Sequence, residues 1–223
     1  MELRNYRDQA LGWPSEGRCI LAHHDEDHMV VYQAYRPEIG RYAVQHQRFG
    51  GEFSFSRMSW IKPNFLWMMY RSGWGVKTGQ EVTLAITLSR DFFDEILTTA
   101  VPSSFDPSRF GDRDAWKSAL ADSEVRLQWD PDHAPDGAKL ARRAIQLGLR
   151  GDMLRRFATE EIVQIEDLSD LVATQREHAH RSLEKLLVPV ERVYVPRHEG
   201  AASSVGLDMA ESSFSRSGAN PCI

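Results

Sequence analysis

The residues best suited to chemistry in this chain lie in one stretch, Arg57-Met58-Ser59-Trp60-Ile61-Lys62-Pro63-Asn64-Phe65-Leu66-Trp67-Met68-Met69-Tyr70-Arg71-Ser72-Gly73-Trp74. It holds three of the six tryptophans and three of the seven methionines, with Arg57, Lys62 and Arg71 set among them. Cations beside aromatic faces can bind an anion and stack a flat ring. Lys62 and Arg71 bracket a segment predicted to be a buried helix, where a charge must find a partner or line a pocket. Two readings follow. Both residues are surface caps with their stems packed on the core, or they form a pocket wall that binds something anionic.

Other chemical arrangements are poorly supported by spacing. His23-His24-Asp25-Glu26-Asp27-His28 has metal-ligand residue types, but consecutive positions on one loop rarely converge on one ion, so a solvated acidic turn is expected and no metal. His178 and His180 are two apart on a predicted helix and face different sides. Cys19 and Cys222 form no metal spacing and no CxxC pair. GxSxG, P-loop, HExxH and GxGxxG patterns are absent from the sequence.

The elements around the stretch can be read from periodicity. Pro63 suits a helix start and biases Lys62 toward an extended backbone, so a helix is expected from Pro63 to Arg71, stopping near Gly73. Its run of Phe65, Leu66, Trp67, Met68, Met69 and Tyr70 leaves no polar face, as in a helix buried nearly all round. Upstream, Met29 to Tyr35 reads as a buried strand, and Pro37 opens a helix that ends at Phe49-Gly50-Gly51. Downstream, Val82, Leu84, Ile86 and Leu88 alternate along a strand, and Ser89 caps the next helix. Residues 101–114 read as a surface loop, with a short helix from Trp116 to Leu120.

Val125 to Trp129 reads as a strand closed by the turn Asp130-Pro131-Asp132, with a second turn at Pro135-Asp136-Gly137. Ala144 to Leu149 is a further strand, Gly151 to Phe157 a helical turn and Glu161 to Asp167 a strand. Asp170 to Leu187 is helical, and Pro189 to Pro196 is a last strand at an edge. This order predicts a single α+β domain, with a central, mostly antiparallel sheet and flanking short helices. The expected divisions are an N-terminal arm over 1–17, the domain over 18–196 and a flexible tail over 197–223.

At 223 residues and 42% hydrophobic, the chain can fill one core. Its net charge of −5 argues against nonspecific nucleic-acid binding over the whole surface while leaving a local basic groove open. The predicted buried helix is too short to span a bilayer, the N-terminus has no signal-peptide pattern, and two cysteines suit a reducing compartment. A cytoplasmic protein without membrane association is therefore expected.

Four blocks, Val31 to Tyr35, Met58 to Trp74, Val125 to Pro131 and Arg143 to Leu149, resemble the signature segments of the domain-of-unknown-function family 4291, over roughly residues 18–196. That likeness implies no activity. A second resemblance does. Strand, turn, helix ending in glycine and then an aromatic-rich helix is similar to the start of mono-ADP-ribosyltransferase folds, including DNA-modifying toxins, and implies a split sheet and NAD as cofactor.

On that resemblance Gln33, Tyr35 and Arg36 stand where the first strand meets the dinucleotide. Lys62 and Arg71 supply cations for its pyrophosphate, and Tyr35, Trp60 or Tyr70 a stacking face. Cleaving the nicotinamide–ribose bond also asks for a carboxylate. The toxin-like pattern puts the neutral Gln146 at that place, and Glu191 in Glu191-Arg192-Val193-Tyr194 is the alternative, against the plainer reading of an edge carboxylate in water. The acceptor would be DNA, RNA or protein. The competing reading is a nucleic-acid-binding module in which Arg57, Lys62 and Arg71 meet phosphates and exposed Trp60 and Trp74 stack bases. The sequence leaves the oligomeric state open.

Overall fold

The computed structural model describes residues 1–208. In chain order the elements are β1 (Leu3–Asn5), α1 (Tyr6–Ala10), β2 (Gly17–Arg18), β3 (Ile20–Ala22), β4 (His28–Tyr35), α2 (Pro37–His46), β5 (Ser59–Ile61), α3 (Phe65–Ser72), β6 (Val82–Ser89) and α4 (Arg90–Thr99). There follow β7 (Val101–Pro102), α5 (Arg113–Asp122), β8 (Val125–His133), β9 (Lys139–Leu149), α6 (Gly151–Thr159), β10 (Ile162–Asp167), α7 (Ser169–Arg181), β11 (Leu187–Pro189), β12 (Arg192–Tyr194) and α8 (Ala201–Val205). The mixed α+β domain expected from the sequence is present.

Alternating side chains make one sheet a wall between two cores. Strands β10, β6 and β4 pair antiparallel in that order. Met29 and Val31 of β4, with Val82, Leu84, Ile86 and Leu88 of β6, join one apolar cluster, while Val30, Tyr32 and Ala85 join the other. Successive residues of a strand point to opposite faces, so β4 and β6 are buried on both faces, while β10 at the edge is largely open. The first cluster is completed by Val125 and Leu127 of β8 and Ile145, Leu147 and Leu149 of β9. Those strands belong to the second sheet, ordered β2-β9-β8-β7, with β5 also paired to β9. The second cluster packs α3 against the wall through Phe65, Leu66, Met68 and Met69.

The two sheets touch at one bridge. Tyr32 N–H donates to the Lys62 carbonyl at 2.7 Å, and Lys62 N–H donates to the Tyr32 carbonyl at 3.2 Å. Lys62 therefore has the extended backbone that Pro63 imposes on it, and it fixes the end of β5 against β4.

Helix α3 begins two residues after Pro63. Asn64 is its cap, its side-chain oxygen accepting the Trp67 N–H at 2.7 Å. It stops at Gly73, whose φ of 58° suits a residue without a Cβ.

The structure corrects several sequence expectations. Strand β8 continues through Asp130-Pro131-Asp132 to His133, because Asp130 and Pro131 pair with Ala144 and Arg143 of β9. Proline is tolerated there because β7 pairs β8 only at Arg126 and Leu127, leaving the far edge at Pro131 without a strand. The last strand is two short ones that serve different partners, β11 on β1 and β12 on β3, with buried Val190 and Glu191 between them. Helix α7 ends at Arg181.

Residues 1–17 are tied down by β1, by Gln9 and by Trp13, whose indole N–H donates to the Glu191 carbonyl at 2.9 Å. Of the expected tail, 197–208 carries α8, whose Ala201 and Val205 are buried in the first cluster, and 209–223 lies outside the described residues. Asp94 of α4 anchors that segment by accepting the Arg197 and His198 N–H groups at 2.6 and 3.0 Å. Among the described residues no helix is long and apolar enough to cross a membrane.

Candidate functional site

Where β4, β5 and β8 diverge they leave a cleft of about 740 Å³, a volume within the range of small-molecule sites. Its wall includes Gln33 and Tyr35 from β4, Arg36 after it, Trp60 from β5 and Lys62 just after that strand, Trp67 and Arg71 from α3, and Gln128 and Asp130 from β8, with Gln146 from β9. The segment before β5 contributes Glu52, Phe53, Ser54, Arg57 and Met58.

The floor is a bonded set of polar side chains. The Gln33 amide donates to Ser59 Oγ at 2.8 Å and to the Trp60 carbonyl at 3.2 Å. The Tyr35 hydroxyl shares a 2.7 Å hydrogen bond with the same Ser59 Oγ, and burial pushes its titration upward. Asp130 accepts from Gln146 Nε2 at 2.7 Å and from Gln128 Nε2 at 3.1 Å, one on each carboxylate oxygen. Two buried atoms of cleft residues have no partner, the Gln33 Oε1 acceptor and the Trp67 Nε1 donor. Unpartnered buried polar atoms cost free energy, and a cleft ligand could relieve it.

Lys62 is 6% exposed, and its Nζ donates to the Trp60 carbonyl at 3.3 Å. Burial and the nearby Arg71 cation pull its ammonium down to about 7, with Asp130 opposing. Arg57 and Arg71 are exposed, and Arg36 is paired with Glu52 across the mouth. Gly148 shapes the aromatic side. It pairs with Trp60, and a Cβ there would lie 2.6 Å from Met58 Sδ and 3.0 Å from the Trp60 ring.

Of the residues singled out in the sequence, Gln33, Tyr35, Arg36, Trp60, Lys62, Arg71 and Gln146 line this cleft, while Tyr70 and Glu191 do not. Tyr70 is 43% exposed and stacks on His133 with ring centroids 3.5 Å apart. Glu191 is a buried carboxylate, not an edge residue in water. It accepts the Phe65 N–H at 2.6 Å and the Asn64 amide at 3.0 Å, at the start of α3. Burial pushes its titration well up, and the Phe65 hydrogen bond opposes this. Close by, Arg142 and Asp132 form a buried ion pair at 2.7 Å.

Trp74 is 5% exposed, with its indole N–H donating to the Pro135 carbonyl at 3.1 Å, so it offers no face to a base. The cleft acid, Asp130, was missed in the sequence because Asp-Pro-Asp is turn chemistry locally. The available signal was alternation, since Gln128 and Asp130 share one face of an extended strand and Gln146 is the direct partner of Gln128.

In the His23–His28 loop, Asp25 accepts the backbone N–H groups of Asp27 and His28, which makes a tight turn. Among the described residues no three His, Cys, Asp or Glu side chains are grouped to hold a metal ion.

The chain belongs to the family described as Domain of unknown function (DUF4291), which matches residues 19–194. That span holds the whole cleft and the buried carboxylates Asp94, Asp132 and Glu191. No curated protein matches the chain.

Proposed function

We propose that the protein is an NAD-binding enzyme of the ADP-ribosyltransferase type, with the cleft as its dinucleotide site and nucleic acid or protein as its acceptor. One observation carries the reading: a carboxylate, cations and an aromatic face line the same cleft. Departure of nicotinamide leaves an oxocarbenium-like ribose, and a fixed negative charge beside it lowers the barrier. Asp130 is assigned that role. Gln146, neutral where the resemblance asks for an acid, becomes the positioning residue that holds Asp130 with Gln128. Arg71 and Arg57 suit the pyrophosphate, and Trp60 offers a face to nicotinamide.

In the transfer the ribose C1′–nitrogen bond breaks and nicotinamide leaves with its electron pair. An acceptor oxygen or nitrogen bonds to C1′ and gives up its proton. The stacking ladder of the nucleic-acid-binding alternative lacks Trp74, which is enclosed, so the cleft reading is preferred.

Trp60 and Trp67 line the cleft and report on it. Titration with NAD is expected to quench tryptophan fluorescence saturably. Arg71→Ala should weaken binding about tenfold, as for loss of one charge-assisted hydrogen bond, with circular dichroism showing the fold intact. No response of the folded wild type at millimolar NAD would overturn the reading.

A further inference from the structure

Lys62 is buried like a core residue yet bonded like a surface one. Its amine has one long hydrogen bond, to the Trp60 carbonyl at 3.3 Å. The carboxylate most able to neutralise it, Asp130, has each oxygen occupied by a glutamine amide. The charged and titratable groups that line the cleft with Lys62 are Tyr35 of β4, Arg36, Glu52, Arg57, Arg71 and Asp130. Glu52 is committed to Arg36, and the Tyr35 hydroxyl to Ser59. Arg71 and Asp130 are left to set the field at the amine, one cation against one anion, with burial as the larger influence.

An amine in this position is desolvated, without a tight counter-ion and open to a ligand on its cleft side. Such an amine is a proton acceptor at neutral pH. We propose that Lys62 is the general base of the transfer step, taking the proton from an acceptor hydroxyl, or from water, as that oxygen bonds to ribose C1′. The inference rests on the dinucleotide reading above and divides the work of the cleft. Asp130 stabilises the ribose cation, and Lys62 receives the proton. The balance closes: one C–N bond breaks, one C–O bond forms, nicotinamide leaves neutral, and the proton on Lys62 returns to solvent.

The test needs no protein or nucleic-acid acceptor, since water can serve. Nicotinamide release from NAD is measured between pH 5.5 and 9.5 for wild type and Lys62→Arg, alongside NAD binding by tryptophan quenching. Arginine keeps the cation and cannot accept a proton at these pH values. The wild-type rate is expected to rise with pH through an inflection near 7, the value to which burial and Arg71 bring the amine. Lys62→Arg should bind NAD within about threefold of wild type, lose about a hundredfold or more in kcat and lose the inflection.

Unchanged kcat, or a surviving inflection, in Lys62→Arg would overturn the proposal while leaving the dinucleotide site standing. NAD bound by wild type without any release of nicotinamide would overturn it likewise. Absence of NAD binding by wild type would overturn both. Should Lys62→Arg not fold, competitive acetylation of wild type, read by mass spectrometry at Lys62, takes its place. An amine that titrates near 7 and is shielded by NAD supports the proposal, and one that titrates near 10 overturns it.

Discussion

Asp130 and Asp132 stand two residues apart on β8 and live in opposite circumstances. Asp132 is in a closed network: its carboxylate holds Arg142 and accepts the His133 N–H, and Arg142 in turn donates to the Pro14 carbonyl at 2.6 Å. Glu191 and Asn64 extend the same closed region to the start of α3. Asp130 instead opens on the cleft, where two buried polar atoms have no partner and Lys62 has no ion pair among the described residues. The carboxylates and the guanidinium of the first region are all bonded and fix a helix and a strand, its unpartnered atoms being the two ring nitrogens of His133, stacked on Tyr70. A network left incomplete around a cleft has bonding capacity to give to a ligand.

The contrast can be broken most forcefully on the closed side. Arg142→Met leaves Asp132 buried without its counter-charge, and a loss of about 3–5 kcal/mol in urea unfolding is expected. A loss under 1 kcal/mol would mean that water reaches Asp132. On the open side, Gly148→Ala forces Met58 and the Trp60 ring aside. A cost of about 1–3 kcal/mol is expected, with a shifted Trp60 emission and weakened NAD quenching.

The two regions also titrate in opposite directions. Glu191 keeps its proton to higher pH in the folded chain than in the unfolded one, so its contribution is full below the unfolded value of 4.5 and is lost as pH rises toward the raised folded value. Lys62 releases its proton near 7 when folded and at 10.5 when unfolded, so its contribution rises with pH between those two values. Unfolding free energies measured across pH should lose the downward slope in Glu191→Gln and the upward slope in Lys62→Met. Parallel profiles for wild type and either variant would show that the group titrates alike in both states.

The smallest effect on stability is expected from Asp130→Asn. Its shape is kept and its partners are side-chain amides, so unfolding should move by about 1 kcal/mol or less. The informative change is at Lys62, whose titration should fall further once the favourable charge of Asp130 is gone. Competitive acetylation would measure that shift.

Local chemistry accounts for what the sequence revealed. The Ser89 cap, the Gly73 stop and the alternation of Val82 to Leu88 are decided within a few residues, and all three occur in the fold. The convergence of Lys62 with Asp130 depends on β8 running past a proline because β9 pairs with it, which no window on the sequence contains. The burial of Glu191, which the sequence marks as a candidate acid, was hidden for the same reason, since its partners Asn64 and Phe65 lie 127 and 126 residues away. The Gly, Ser and Ala composition after Arg197 reads as a tail, and small residues are also what let α8 sit against the core.

Hydrogen–deuterium exchange of the wild-type protein with and without NAD tests the central claim most directly, because it reports where a ligand sits as well as whether one binds. Slower exchange is expected in peptides covering 57–62 and 126–131, with 186–194 unchanged. Protection confined to the closed region around Glu191, or no protection anywhere at saturating NAD, would contradict the assignment of the cleft.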